Sequence, residues 1–229
     1  MWASFIAAFL CGILTIIVPG YFIGRTLFSN LLQAIAFSPA ASVALFIVVG
    51  LIAYPISMSA LHIYLLVLLL SLTLFMLFRR KRSALNARQY LTLSTYVLVG
   101  TALTVLIFLR NIDGPASYSV QTDTTFHLSC ANAMLDSGRY SILHASEYPD
   151  LMNAGEGIFY PAAWHIITAV AGGLSKTNII VAHNAINFII CAFVYPLSTW
   201  LFLSSVFKNE QGLIFAGGVT CSLFSYFPW

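Results

Sequence analysis

The sequence predicts an all-α, polytopic transmembrane helical bundle of about seven spans, with one external loop that carries a short amphipathic helix. Three observations predict it. Of 229 residues, 60% are hydrophobic and only 7% charged, where an ordinary soluble domain carries about 25% charged residues. The mean hydropathy is +0.91. The apolar residues fall in runs of about 20, the length a helix needs to cross a bilayer. Stretches such as Leu65-Leu66-Val67-Leu68-Leu69-Leu70 are apolar on every face, which excludes the alternating pattern of a membrane β-barrel.

Apolar windows bounded by charge or turn residues place spans at 2–19, 37–56, 60–78, 90–109, 158–174, 179–206 and 213–229. The first lacks a basic flank and a small-residue cleavage site, so it reads as a retained helix rather than a removed signal peptide. The stretch 21–37 is open between a short interfacial helix and an extension of the second span. Because proline fits the first turn of a helix, the second span is expected to begin near Pro39. Pro55 and Pro196 leave room for kinks. The chain stops on Phe227-Pro228-Trp229 inside an apolar run, and a longer parent protein is expected. Cys11, Cys130, Cys191 and Cys221 have no metal-ligand spacing and three lie in apolar runs, so they read as packing residues.

Orientation follows from the basic residues. Arg79-Arg80-Lys81-Arg82 and Arg88 mark the loop between the third and fourth spans as cytoplasmic. The net charge of +3 therefore reflects one loop and does not point to nucleic acid. Alternation from that loop puts the N-terminus and the 110–157 loop outside, with Arg25 and Lys176 inside and Arg110, Arg139 and Lys208 outside. All seven acids then fall outside. The chain divides into an N-terminal part, 1–89, and a second part, 90–229, that begins with the span leading into the large loop.

That loop, 110–157, holds Asp113, Asp123, Asp136, Glu147, Asp150 and Glu156 together with His127 and His144. Connections of this length are functional or disordered. Residues 123–137 read as an ordered helix: a Thr/Asp start, apolar Phe126, Cys130, Ala133 and Met134, and a Ser137-Gly138 end where glycine can take the left-handed conformation. It is expected to lie flat on the outer surface, apolar side down. Asp123 and His127 stand four apart, on one face. Either the carboxylate orients the imidazole for acid–base or metal work, or it caps the helix while His127 sits in the headgroup layer. Beyond the loop, Tyr160-Pro161-Ala162-Ala163-Trp164-His165 opens the next span. Tyr160 and Trp164 fit interfacial anchors, whereas a histidine within a span usually faces a cavity or a partner. His183 and Asn187 repeat the four-residue spacing and read as interhelical hydrogen bonding near the cytoplasmic end. His62 reads as an interfacial bystander.

Taken together, Thr122-Asp123-Thr124-Thr125-Phe126-His127 on a short helix, Asp136-Ser137-Gly138 closing it and Tyr160-Pro161 opening the returning span resemble the first external loop of the GT-C superfamily. These are integral membrane glycosyltransferases that use polyprenyl-phosphate-linked sugars. The Tyr-Pro-x-x-Trp-His element with the Asp-x-x-x-His helix is also similar to a family of uncharacterised bacterial multi-pass proteins with a GT-C-like core. The resemblance covers 90–174. It differs in having four spans before the loop where the common form has one, and Thr124 where a second acid is frequent.

The resemblance implies that Asp123 is the catalytic base or a metal ligand, and that a polyprenyl-phosphate sugar is spent on a cell-envelope acceptor outside the bacterial cytoplasmic membrane. Glycosyl transfer needs a carboxylate on the acceptor face, because the acceptor hydroxyl must lose a proton as an oxocarbenium-like centre develops. The leaving lipid phosphate needs donors or positive charge. His127 and His165 are the expected catalytic partners of Asp123, and Arg139, Tyr160, Trp164 and Glu156 the expected substrate-binding residues. A divalent cation, Mg²⁺ or Mn²⁺, would sit with Asp123 and take a second oxygen from Glu156 or Asp113; metal-free chemistry stays equally open. With no Gly-rich phosphate loop for a nucleotide sugar, a lipid-linked donor suits the outer leaflet. A non-catalytic envelope scaffold and a transporter are the competing readings.

Overall fold

A computed structural model describes residues 1–78, 80–81, 83, 86–118, 122–141, 162–208 and 210–223, without the side chains of 122, 123, 222 and 223. The described residues are helical and contain no strand. Helix α1 is Trp2–Leu27, α2 Leu31–Ile52, α3 Ala60–Phe78, α4 Ala87–Asn111 and α5 Thr122–Ser137. They are followed by α6 Ala163–Ser175, α7 Ile179–Ile189, a π-helical segment Ile190–Val194, α8 Tyr195–Phe207 and α9 Gln211–Leu223. Among the described residues, five helical runs are long and apolar enough to cross a membrane: α1, α2, α3, α4 and the continuous run Ile179–Phe207. The predicted helical membrane bundle is therefore what the chain forms.

Several boundaries follow from side-chain caps. Asn30, Asn86 and Asn178 each accept from backbone N–H groups in the first turn that follows, and so start α2, α4 and α7. The expected start of the second span at Pro39 is thereby corrected to Leu31, with Pro39 inside the helix. The proline costs little there because the Ile35 carbonyl, which loses its N–H partner four residues on, accepts from the Ser38 hydroxyl at 2.6 Å. Pro196 is accommodated in a similar way. Its ring packs on Gly100, the π segment lies immediately before it, and the freed Ala192 carbonyl accepts from Thr101 at 3.4 Å.

Helices α1 and α2 pack backbone to backbone, since Gly20 faces Ser38 and Gly24 faces Ala34. Such small-residue contacts are how helices associate where the surrounding solvent is itself apolar. A β-carbon on Gly24 would stand 2.6 Å from the Ala34 carbonyl oxygen. Gly24→Leu is expected to cost at least about 1–3 kcal/mol through overpacking, read as a lowered thermal unfolding midpoint in detergent. An unchanged midpoint would mean the two helices part without penalty.

The long helices give the bundle two ends. At the basic-loop end, Arg80 donates its backbone N–H to Arg25, and Asn30 bonds Gln89. Buried Leu32, Leu93 and Tyr96 pack with Trp200, Leu203 and Ile214 at that same end. At the far end, Phe5 and Ala8 of α1 and Phe108 of α4 pack with Val181 and Ala185 of α7. Gly173 near the end of α6 backs onto Ala60, the first residue of α3, and onto Leu135. The corner between α6 and α7 is therefore at the far end, where Thr177 donates its N–H to Gly172 and Lys176 adopts a left-handed conformation.

This overturns the predicted crossing of the 158–174 segment. Helix α6 has 13 residues, about 20 Å of rise against the roughly 30 Å of a hydrocarbon core. It begins beside the middle of α7 and ends at the far end, so it does not run the length of the bundle. Lys176 consequently belongs to the far end, and Lys208 and Glu210, in the corner after α8, to the basic-loop end.

Helix α5 also departs from expectation. It does not lie flat: His127 meets His165 and Leu135 meets Gly173, equal steps along both helices, so α5 runs parallel to α6. Leu128, Cys130, Ala131 and Met134 are buried on its inner side. Its predicted end is borne out, with Gly138 at φ 68° and its N–H bonded to the Met134 carbonyl. No two of the four cysteines are joined by a disulfide, and Cys130 and Cys191 are buried in the packing, as expected of packing residues.

Candidate functional site

The inner ends of α5 and α6 and the upper half of α7 converge on a polar cluster inside the bundle. His127 Nδ1 and His165 Nε2 lie 2.9 Å apart in a hydrogen bond. Next to His165, the Trp164 indole N–H donates to Asn187 Oδ1 at 3.1 Å, and Asn187 Nδ2 reaches His183 Nε2 at 3.1 Å. Trp164 is the hub. Its ring stands edge-on to His127, His165 and His183 at centroid distances of 6.0, 5.2 and 5.0 Å. Asn184 ties this part of α7 to the chain leaving α4, donating to the Pro115 and Ser117 carbonyls at 2.9 and 2.8 Å.

Depth follows from helix rise. His183 and Asn187 are about 6 and 12 Å along α7 from its far-end start. His165 is 2% exposed. A cluster with this much hydrogen-bonding capacity at this depth is costly unless each group is matched or used.

Trp164 also walls an apolar cleft of about 330 Å³, lined by Ile16 of α1, Pro39 and Val43 of α2, Ile186 of α7, Val194 of the π segment and Ser198 of α8. One face of the indole therefore meets greasy space while its N–H serves the polar cluster. The π turn widens the helix where Ile190 and Val194 line the cleft, a distortion common at functional sites.

The predicted residues separate as follows. His127, His165 and Trp164 are brought together. Asp123 lies in α5 one turn before His127, but its side chain is outside the described residues, as are Glu156 and Tyr160. Arg139 is not brought to the histidines. Helix α5 runs away from them, so Arg139 sits at the far rim beyond Gly138, which packs on Ser57 and Met58; ten residues of rise from His127 to Ser137 are about 15 Å. Asp113 is exposed in the turn after α4. His62 is an exposed residue bonded to Ser59, 2.7 Å away, in keeping with a bystander.

Asn187 makes the interhelical hydrogen bond expected of it, accepting from Trp164 of α6, whereas His183 bonds Asn187 within α7; both lie in the far-end half of the bundle and within the cluster. Their share in the site was hidden by the count of crossings, although the signal, two polar residues one turn apart, is visible in the sequence. Asn187→Leu would leave the Trp164 N–H and its His183 contact unmade, at about 1–3 kcal/mol for each stranded group. Thermal unfolding in detergent reads this, and a loss below about 0.5 kcal/mol would mean that water replaces the amide.

The chemistry available is that of imidazoles. In the His127–His165 pair one ring donates and the other accepts, so a proton can pass between them or to a third group. Burial pushes the Cys130 thiol up to about 11, which leaves little of the reactive thiolate at neutral pH. Among the described residues no three His, Cys, Asp or Glu side chains are grouped closely enough to hold a metal ion. Any ion held through Asp123 and Glu156 would rest on side chains outside that set.

A family model described as "Family of unknown function (DUF6541)" matches residues 13–229. The chain belongs to the DUF6541 family. No curated protein and no solved structure matches it. The matched region takes in every residue of the cluster and of the cleft, so this DUF6541 chain carries its site within the portion that defines the family.

Proposed function

We propose that this DUF6541 chain is a membrane glycosyltransferase-like protein that moves a sugar from a polyprenyl-phosphate donor to a cell-envelope acceptor, on the face opposite the basic loop of a bacterial cytoplasmic membrane. The observation that carries the reading is the juxtaposition at Trp164 of an apolar cleft with a buried imidazole cluster. A lipid-linked sugar needs both, the cleft for its chain and hydrogen-bonding groups for the phosphate at the boundary. The dense basic loop supports the assignment of faces.

In the reaction, the acceptor oxygen bonds to the anomeric carbon and the bond from that carbon to the phosphate oxygen breaks. The acceptor proton goes to the Asp123 carboxylate, and the polyprenyl phosphate leaves with the electron pair. His127 and His165 donate to the leaving phosphate, and Trp164 orders the boundary between chain and headgroup.

The test is transfer of a radiolabelled sugar from a synthetic polyprenyl-phosphate sugar in membranes that contain the protein. Asp123→Asn is expected to lower the rate by about 10²–10⁴-fold while leaving membrane insertion unchanged. Undiminished transfer would remove Asp123 from the site. Transport is the second reading, favoured by the shortness of α6, since broken or half-spanning helices line substrate paths in transporters. Flux into protein-containing liposomes without any transfer product would decide for it.

A further inference from the structure

The hydrogen bonds around Asn187 fix a tautomer, and the tautomer leaves a donor aimed at nothing the described residues supply. An indole N–H can only donate, so the Asn187 atom that meets Trp164 is the carbonyl oxygen. The amide nitrogen must then be the atom that faces His183 Nε2. That nitrogen can only donate, so Nε2 of His183 must accept, which makes the ring neutral with its proton on Nδ1. His183 Nδ1 is buried and has no hydrogen-bond partner among the described residues. An N–H in that position is an unsatisfied donor, costly to the folded state and suited to an acceptor oxygen brought by a ligand. His183 is one turn from Asn187, and its ring stands 5.0 Å from the Trp164 ring that walls the apolar cleft. His183 does not line the cleft itself; Trp164 stands between the two, touching the apolar space and the His183 ring.

We infer that His183 is a ligand-binding residue whose Nδ1–H donates to a phosphoryl oxygen of a lipid headgroup, with Asn187 as the positioning residue that holds the required tautomer. This rests on the reading of a phosphate-linked lipid donor and adds the group that recognises its phosphate.

Two substitutions separate recognition from scaffolding. In His183→Asn the side-chain amide can present an N–H near the Nδ1 position but does not reach Asn187. In His183→Gln the amide reaches the Nε2 position and can still accept from Asn187, but supplies nothing at Nδ1. The probes are a polyprenyl monophosphate and the matching polyprenol, added to the intact protein in maltoside micelles, which carry no phosphate. The wild type is expected to bind the monophosphate at least about tenfold more tightly than the alcohol, the change produced by one charge-assisted hydrogen bond. His183→Asn should keep most of that preference and His183→Gln should lose it. Loss in His183→Asn with retention in His183→Gln, or the same behaviour in both, overturns the inference and leaves His183 as an anchor for Trp164.

If the wild type binds monophosphate and alcohol equally, the inference falls while the cleft stays a lipid site. If it binds neither, the lipid-linked donor falls as well. Nitrogen-15 spectra of the histidine-labelled wild type give a check that needs no variant. Nδ1 of His183 should be the protonated nitrogen and its resonance should move when the monophosphate is added. A proton on Nε2, or a resonance that responds to Asp123→Asn and not to the lipid phosphate, overturns the assignment.

Discussion

Single cysteines at positions 176 and 208, in a chain whose four native cysteines have been replaced by alanine, react with a membrane-impermeant maleimide from opposite faces of the membrane. Lys208→Cys labels together with Lys81→Cys in the basic loop, and Lys176→Cys labels together with Tyr118→Cys beyond α4. The expectation follows from packing alone. Helix α6 is too short to cross, and its last turn lies against Ala60 and Leu135. Helix α7 starts among the first residues of α1 and the last of α4. A single span that began at the basic-loop end could not bring Val181 to Phe5 and Trp200 to Leu93. The outcome is nearly all-or-none, because a lysine position cannot be half on each side. Labelling of position 176 from the same face as position 81 would return α6 to the list of full spans and break the cluster apart, since His165 and His183 would then no longer share a depth with His127.

The charge pattern could not have revealed this error. Moving Lys176 to the far end and Lys208 to the basic-loop end exchanges one lysine for another, so the balance of basic residues between the two sides is the same in both topologies. Hydropathy was equally blind. The stretch beginning Trp164-His165-Ile166-Ile167 is apolar enough for a span because it is buried on all sides by protein, with His165 through Gly172 all inside, and a buried helix and a lipid-facing helix share the same composition. What was legible was whatever local chemistry dictates: the long helices, the Gly138 terminus of α5, the packing role of the cysteines and the disturbance near Pro196. Pro39 misled because the repair of its broken hydrogen bond by Ser38 is a side-chain event that no propensity records. Of the site, the four-residue spacing from Asp123 points to His127 and the cost of an imidazole within a span points to His165, whereas the Trp164–Asn187–His183 chain depends on two helices that run antiparallel at the far end. Arg139 suits a lipid phosphate as a cation of the external loop, but the direction of α5 takes it away.

Replacing His165 tests the cluster most directly, and two variants distinguish its roles. In His165→Ala a fully buried ring is lost and His127 Nδ1 loses its partner at 2.9 Å. The cavity and the lost hydrogen bond together are expected to cost about 3 kcal/mol, and transfer should fall by about 10²–10⁴-fold, as for removal of a general acid–base group. That result alone would not separate a folding defect from a catalytic one. In His165→Gln the side-chain amide reaches nearly as far as Nε2 and can bond His127 as donor or acceptor, so stability should return to within about 1 kcal/mol of the wild type. An amide does not exchange a proton near neutral pH, however, so a ring that passes protons cannot be replaced by it. Transfer should therefore stay depressed by at least about a hundredfold in a protein that unfolds almost like the wild type. Recovery of transfer along with stability in His165→Gln would reduce His165 to a strut that positions His127, and the proton traffic would then have to be carried by His127 and Asp123 on α5 alone.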